Sequence, residues 1–274
     1  MLLAAAIGFG PGDARAQQPQ APPPLTKESA AAALATRLAF VVTGDAQVDA
    51  ASRAGLMGLT RMLQSRTALE PGEPVGVDPA RDELAFYPLL YWPIVANRPQ
   101  PGEAAIRRLD AFMKGGGTVI FDTRDAINAG PGGGATAEGQ YLRRMLATLD
   151  VPELEPLPRD HVLTKTFYLL DNFPGRYATG QTWVEALPPA VDGERRPARA
   201  GDGVSPIVIT SNDLAAAWAI GRNGEAMFPL VGSDQRQQRE FALRGGVNLV
   251  MYALTGNYKA DQVHVPALLE RLGQ

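Results

Sequence analysis

The stretch Gly102-Glu-Ala-Ala-Ile-Arg-Arg-Leu-Asp-Ala-Phe-Met-Lys-Gly-Gly-Gly-Thr-Val-Ile-Phe-Asp-Thr-Arg-Asp125 decides how the chain folds. Its first half predicts a helix: Glu103 sits in the first turn, and Ile106, Leu109, Phe112 and Met113 recur on one face. Lys114 and the three glycines 115–117 close that helix. Thr118-Val-Ile-Phe121 follows at once as a strand. A strand before this helix, at Leu84–Val95, makes the unit strand, helix, strand with short joints, which implies a parallel crossover. The candidate binding region therefore lies beyond the carboxyl ends of the strands. There the sequence reads Asp122, Thr123, Arg124, Asp125.

Outward from this unit the same alternation continues. Arg37-Leu-Ala-Phe-Val-Val42 reads as a strand ending at Thr43-Gly44, and Asp45 or Asp49 can cap a helix carrying Leu56, Leu59 and Leu63. Glu70 to Pro79 is a Pro/Gly-rich loop, and Pro88 and Pro93 make the ends of the 84–95 strand irregular. A Gly-rich loop (130–134) precedes a helix with Leu142, Met145, Leu146 and Leu149 at helical spacing. Phe167–Leu170 and Pro206–Thr210 read as strands. Trp218–Ile220 and Ala226–Val231 flank Asn223-Gly224, a hairpin signal. A long helix bears Leu243, Val247, Val250, Met251 and Leu254, and a short last one bears Val265, Leu268, Leu269 and Leu272.

Composition narrows the function. The 274 residues carry a net charge of −3 with no dense basic run, which argues against nucleic acid or an anionic membrane surface as partner. There is no cysteine, which removes disulfides, thiolate metal sites and a thiol nucleophile together. Leu2–Phe9 is an apolar run followed by Ala14-Arg-Ala16, a signal-like pattern without a basic start, and Gln17–Pro24 leads into a linker. Two origins stay open for it, a signal peptide with a misassigned start or the remnant of a membrane helix; both place the domain outside the cytoplasm. The expected organisation is residues 1–33 as this leader and linker, then 34–274 as a single α/β domain.

Three motifs together resemble the DUF4159 family of bacterial proteins, within the class I glutamine-amidotransferase-like superfamily. They are Phe86-Tyr-Pro-Leu-Leu-Tyr-Trp-Pro93, Gly115 to Asp125, and Phe167-Tyr-Leu-Leu-Asp-Asn-Phe-Pro-Gly175. The resemblance covers roughly residues 36 to 258. It implies a flavodoxin-like or glutamine-amidotransferase-like three-layer sandwich around a mostly parallel sheet. It also implies that similar chains form the C-terminal part of longer inner-membrane proteins, with the domain on the periplasmic side. Active amidotransferases of the superfamily use a cysteine at a strand-to-helix elbow. Here Asp122-Thr-Arg follows the strand, so that chemistry is absent.

Residue by residue, the candidate ligand-binding set is Tyr91, Trp92, Asp122, Thr123, Arg124, Asp125, His161 and Arg176. Asp122 and Asp125 with His161 are the residue types of a hydrolase of carbohydrates or amides, with or without a metal; the plainer reading is that the two acids cap the next loop or helix and pair with Arg124. Tyr91 and Trp92 can stack on a ligand or fill the core. Arg176, Tyr177 and Trp183 are residue types that dominate protein interfaces. His161 is expected at the surface or at a hinge. Gly130–134 lacks the Lys-Ser/Thr of a phosphate loop, and Arg195, Arg196 and Arg199 read as a solvated cluster. No cofactor or metal motif is present. The favoured function is a non-catalytic module binding a protein or small molecule at the cell envelope.

Overall fold

Side chains leave a strand on alternate faces, and in this chain both sets are apolar, so the sheet has a core on each side. A computed structural model describes residues 36–128, 136–186 and 204–272. Among the described residues seven strands form one sheet: β1 (Ala39–Val41), β2 (Val75–Val77), β3 (Leu89–Pro93), β4 (Thr118–Asp122), β5 (Leu154–Pro156), β6 (Trp183–Glu185) and β7 (Ile207–Thr210). Their order is β2-β1-β3-β4-β7-β6-β5. The first five in that order are parallel, and β6 is antiparallel to both its neighbours.

Among the same residues five α-helices cover the faces: α1 (Ala46–Arg66), α2 (Glu103–Lys114), α3 (Ala137–Leu146), α4 (Leu214–Trp218) and α5 (Gln235–Leu272). One core joins Phe40, Tyr91, Ile120 and Val208 to α1, α4 and α5. The other joins Val41, Trp92, Phe121 and Ile207 to α2 and α3. The chain is thus a three-layer α/β sandwich, as the helix and strand of residues 102–125 imply.

Trp218, fully buried, anchors the first core and donates its indole N–H to the Ala242 carbonyl at 2.8 Å. Small residues let three helices close on it. A Cβ at Gly55 would strike the Ala215 backbone, one at Gly58 the Trp218 carbonyl, and one at Gly246 would meet Leu59 at 2.6 Å.

Several sequence expectations shift. The strand expected over 84–95 splits, because Glu83 caps a 3-10 turn at Leu84–Phe86 and the ladder begins only after Pro88. The 70–79 loop contains β2, whose three residues are too short to show a pattern. Phe167–Leu170 is not a strand. Asn248 of α5 takes its hydrogen bonds instead, accepting from Tyr168 N (2.7 Å) and donating to Tyr168 O (2.9 Å). Trp218 ends a helix rather than opening a hairpin strand; the turn at Asn223-Gly224 persists with Gly224 at φ 80°, closed by one Ile220–Ala226 bridge. The last two helices are one, α5. The 130–134 loop, Arg195, Arg196, Arg199 and the 1–33 leader lie outside the described residues. Among the described residues no helix is long and apolar enough to cross a membrane.

Gly58→Ala should lower stability by about 1–3 kcal/mol, since α4 backbone must move to admit one methyl group. Gly102→Ala, where a Cβ meets nothing within 4 Å, should change it by less than about 0.5 kcal/mol. Urea unfolding of the two variants measures both.

Candidate functional site

Asp122 is the last residue of β4, where a parallel strand delivers its side chain to the carboxyl end of the sheet. It is fully buried. Its Oδ1 accepts from the backbone N–H groups of Arg124 (3.0 Å) and Asp213 (3.1 Å). Its Oδ2 accepts from the Tyr91 hydroxyl (2.9 Å) and the Leu214 N–H (2.7 Å). One carboxylate thus ties β3, β4 and the start of α4 together. Asp122 caps the loop that follows it through Arg124 N, and it also caps a helix more than ninety positions further along the chain, which the sequence alone does not show.

The two residues that donate to Oδ1 are also, among the described residues, the two non-glycine residues with positive φ, Arg124 at 58° and Asp213 at 55°. Each such backbone costs on the order of 1–3 kcal/mol and persists only where its surroundings enforce it. Here the carboxylate does so, by holding both amides.

Around this clasp stand the other acids and arginines. Thr123 donates to Asp125 Oδ1 at 2.5 Å. Arg124 donates to the Ile94 carbonyl at 2.8 Å, and Arg176 pairs with Asp213 at 3.8 Å. Burial and the neighbouring Asp213 carboxylate push Asp122 up to about 7, against the pull of the Leu214 N–H, the Tyr91 hydroxyl and Arg124. Burial likewise raises Asp213, opposed by Arg124 and Arg176. The Tyr91 hydroxyl, also buried and next to Asp122, is held well above its ordinary range and stays a donor.

Of the sequence-derived candidates, Tyr91, Asp122, Thr123, Arg124, Asp125 and Arg176 do gather at this end of the sheet. Trp92 does not join them, because it follows Tyr91 on the strand and points to the opposite core. His161 lies at the other end of the strands. Its ring packs 5.7 Å from that of Tyr252, whose hydroxyl accepts from Ser205 N, and Ser205 O accepts from the hydroxyl of Thr118, the first residue of β4. Four residues of strand, about 13 Å, separate Thr118 from Asp122. His161 is buried rather than exposed, and its Nδ1 accepts from Leu163 N to cap a 3-10 turn. The geometry therefore does not bring His161 to Asp122 and Asp125. Among the described residues no cluster of three His, Asp or Glu converges as a metal site.

A second feature at the same end of the sheet escaped the sequence. The chain goes from β1 out to β2, then returns past β1 to β3. The loop after β1 leads to α1 on one face, while that after β3 leads to α2 on the other. At such a switch point the loops diverge and leave a crevice. A cleft of ≈ 200 Å³ lies there, lined by Val41–Thr43, Asp78–Ala80, Trp92, Pro93, Arg98, Pro99 and Tyr141 among others. Tyr141 is locked by its hydroxyl on the Pro99 carbonyl, 2.8 Å, and Arg98 by its guanidinium on the Gly44 carbonyl, 2.6 Å. Gly44 takes φ 77° in this turn, and Asp49 fixes it by accepting from Thr43 N and Gly44 N. No run of adjacent residues encodes this cleft; four separate segments build it.

Fold and site together define an α/β sandwich whose buried acid clasps its own backbone and whose open crevice lies at the strand-order reversal. The domain-of-unknown-function model DUF4159 matches residues 37–254, and the chain belongs to that family. No curated protein matches it.

A group bound more tightly to its proton in the folded than in the unfolded state stabilises the fold most at low pH. For Asp122 that contribution is full below about pH 4 and fades as pH rises through about 7. Asp122→Asn offers one acceptor oxygen, so an amide N–H must oppose the side-chain NH₂; the cost should be about 1–3 kcal/mol. Melting temperatures between pH 4 and 8 should fall more steeply for the native chain than for this variant.

Proposed function

We propose that this chain is a non-catalytic ligand-binding module of an exported or membrane-tethered bacterial protein, and that its ligand enters the cleft between the carboxyl ends of β1 and β3. One observation carries this reading: an open concave site is at the switch point, while Asp122 is spent on structure and His161 is held away from it. Asp122 gives both oxygens to four donors, Asp125 takes the Thr123 hydroxyl on one oxygen and keeps the other unpartnered, and His161 caps a turn at the far end of the strands. Pockets of this kind, apolar with a few fixed polar groups, are where small ligands bind. The apolar run Leu2–Phe9, Ala14-Arg-Ala16 and the Pro/Gln-rich linker support an envelope location.

A fragment screen followed by amide and indole NMR tests the reading. Binders should move the Trp92 indole and the amides of Thr43 and Ala80, and Ala80→Trp, which fills the cleft from an exposed loop, should abolish those shifts. Binders that instead gather at Arg124, Asp125 and Arg176, indifferent to Ala80→Trp, would contradict it.

A further inference from the structure

The cleft is lined by two side chains that keep hydrogen-bond donors free of protein partners and open to solvent, Trp92 and Arg98. Trp92 is 6% exposed and lines the cleft, and its indole N–H has no hydrogen-bond partner among the described residues. A buried indole N–H ordinarily finds an acceptor. The other two tryptophans differ: Trp218 donates to Ala242, and Trp183 is exposed. Arg98, at the rim, is pinned by one bond to the Gly44 carbonyl and makes no ion pair among the described residues, so most of its donor fork stays open.

The acids near this rim are each engaged with the chain itself. Asp45 accepts from Gln47 N and Val48 N. Asp49 accepts from Thr43 and Gly44, while Asp78 accepts from Ala80 N and faces Arg81 at 3.6 Å. None neutralises Arg98 directly, yet their field disfavours a ligand of high negative charge such as a phosphate. The walls are apolar, formed by Val41, Pro79, Pro93, Pro99 and Ala105.

We infer that the cleft binds a small monocarboxylate with an apolar body, its carboxylate accepting from the Arg98 guanidinium and the Trp92 indole N–H while its body lies against the proline and valine walls. This assignment rests on the cleft reading above. A carboxylate supplies the acceptors both donors lack and carries a single charge that Arg98 can match.

The test uses the whole chain, ¹⁵N-labelled, with Trp92→Phe to assign the Trp92 indole resonance. Phenylacetate and 4-methylpentanoate are titrated beside their neutral amides and inorganic phosphate. The expected result is a saturable shift of the Trp92 indole by the acids, at least about tenfold weaker binding of the amides, and no shift with phosphate. Arg98→Gln, which keeps a donor for the Gly44 carbonyl but drops the charge, should erase the preference for acid over amide. Acids and amides binding the cleft equally, or phosphate binding better, would overturn the carboxylate assignment and leave the cleft reading standing. Failure of every probe to move Trp92, in a chain whose indole spectrum shows it folded, would overturn the assignment; fragments binding elsewhere would then decide the cleft itself.

Discussion

Everything at the carboxyl end of the sheet depends on one buried carboxylate. Asp122 has to be an acceptor on both oxygens, because four donors from three parts of the chain converge on it. Taking an acid out of water is costly, and burial accordingly raises its proton affinity. The compensation is architectural: α4 gains a cap that its own N-cap residue does not supply, and two left-handed residues gain a partner that keeps them in place. With α4 fixed, Trp218 reaches Ala242 and the glycine-lined approach of α1 and α5 closes around it.

The clasp and the cleft use opposite faces of the same strand. Tyr91 and Trp92 are neighbours in the chain but serve opposite faces, the first completing the clasp, the second lining the crevice. The pleat alone sends them apart. Asp122, the acid best placed at a strand end, is consumed by the fold, and the cleft lies at the strand-order reversal, where parallel α/β sheets offer ligands room.

The legible part of the fold was the part with consecutive signals. Residues 102–125 spelled out α2, its glycine stop and β4, and the apolar runs at 37–42 and 206–210 marked β1 and β7. The three-residue strands β2, β5 and β6 show no period, and Phe167–Leu170 looked extended because the Asn248 side chain that satisfies it lies eighty residues away. Asp122 stood out from its place after a strand, and five of the other seven candidate residues do gather around it. Its partners Asp213 and Leu214 carried no signal, since a backbone amide has none in sequence. The cleft was illegible for a related reason: Thr43, Ala80, Trp92 and Tyr141 meet only once the sheet order is known.

Native-state hydrogen exchange of the Arg124, Asp213 and Leu214 amides tests the central claim most directly, because it reads the clasp without altering it. The account predicts that all three, although they flank loops, exchange as slowly as the amides of β4 and β7 and open only with global unfolding. Rapid exchange at Asp213 and Leu214, with the strands still protected, would show that Asp122 does not hold α4 and would return its carboxylate to the candidates for chemistry.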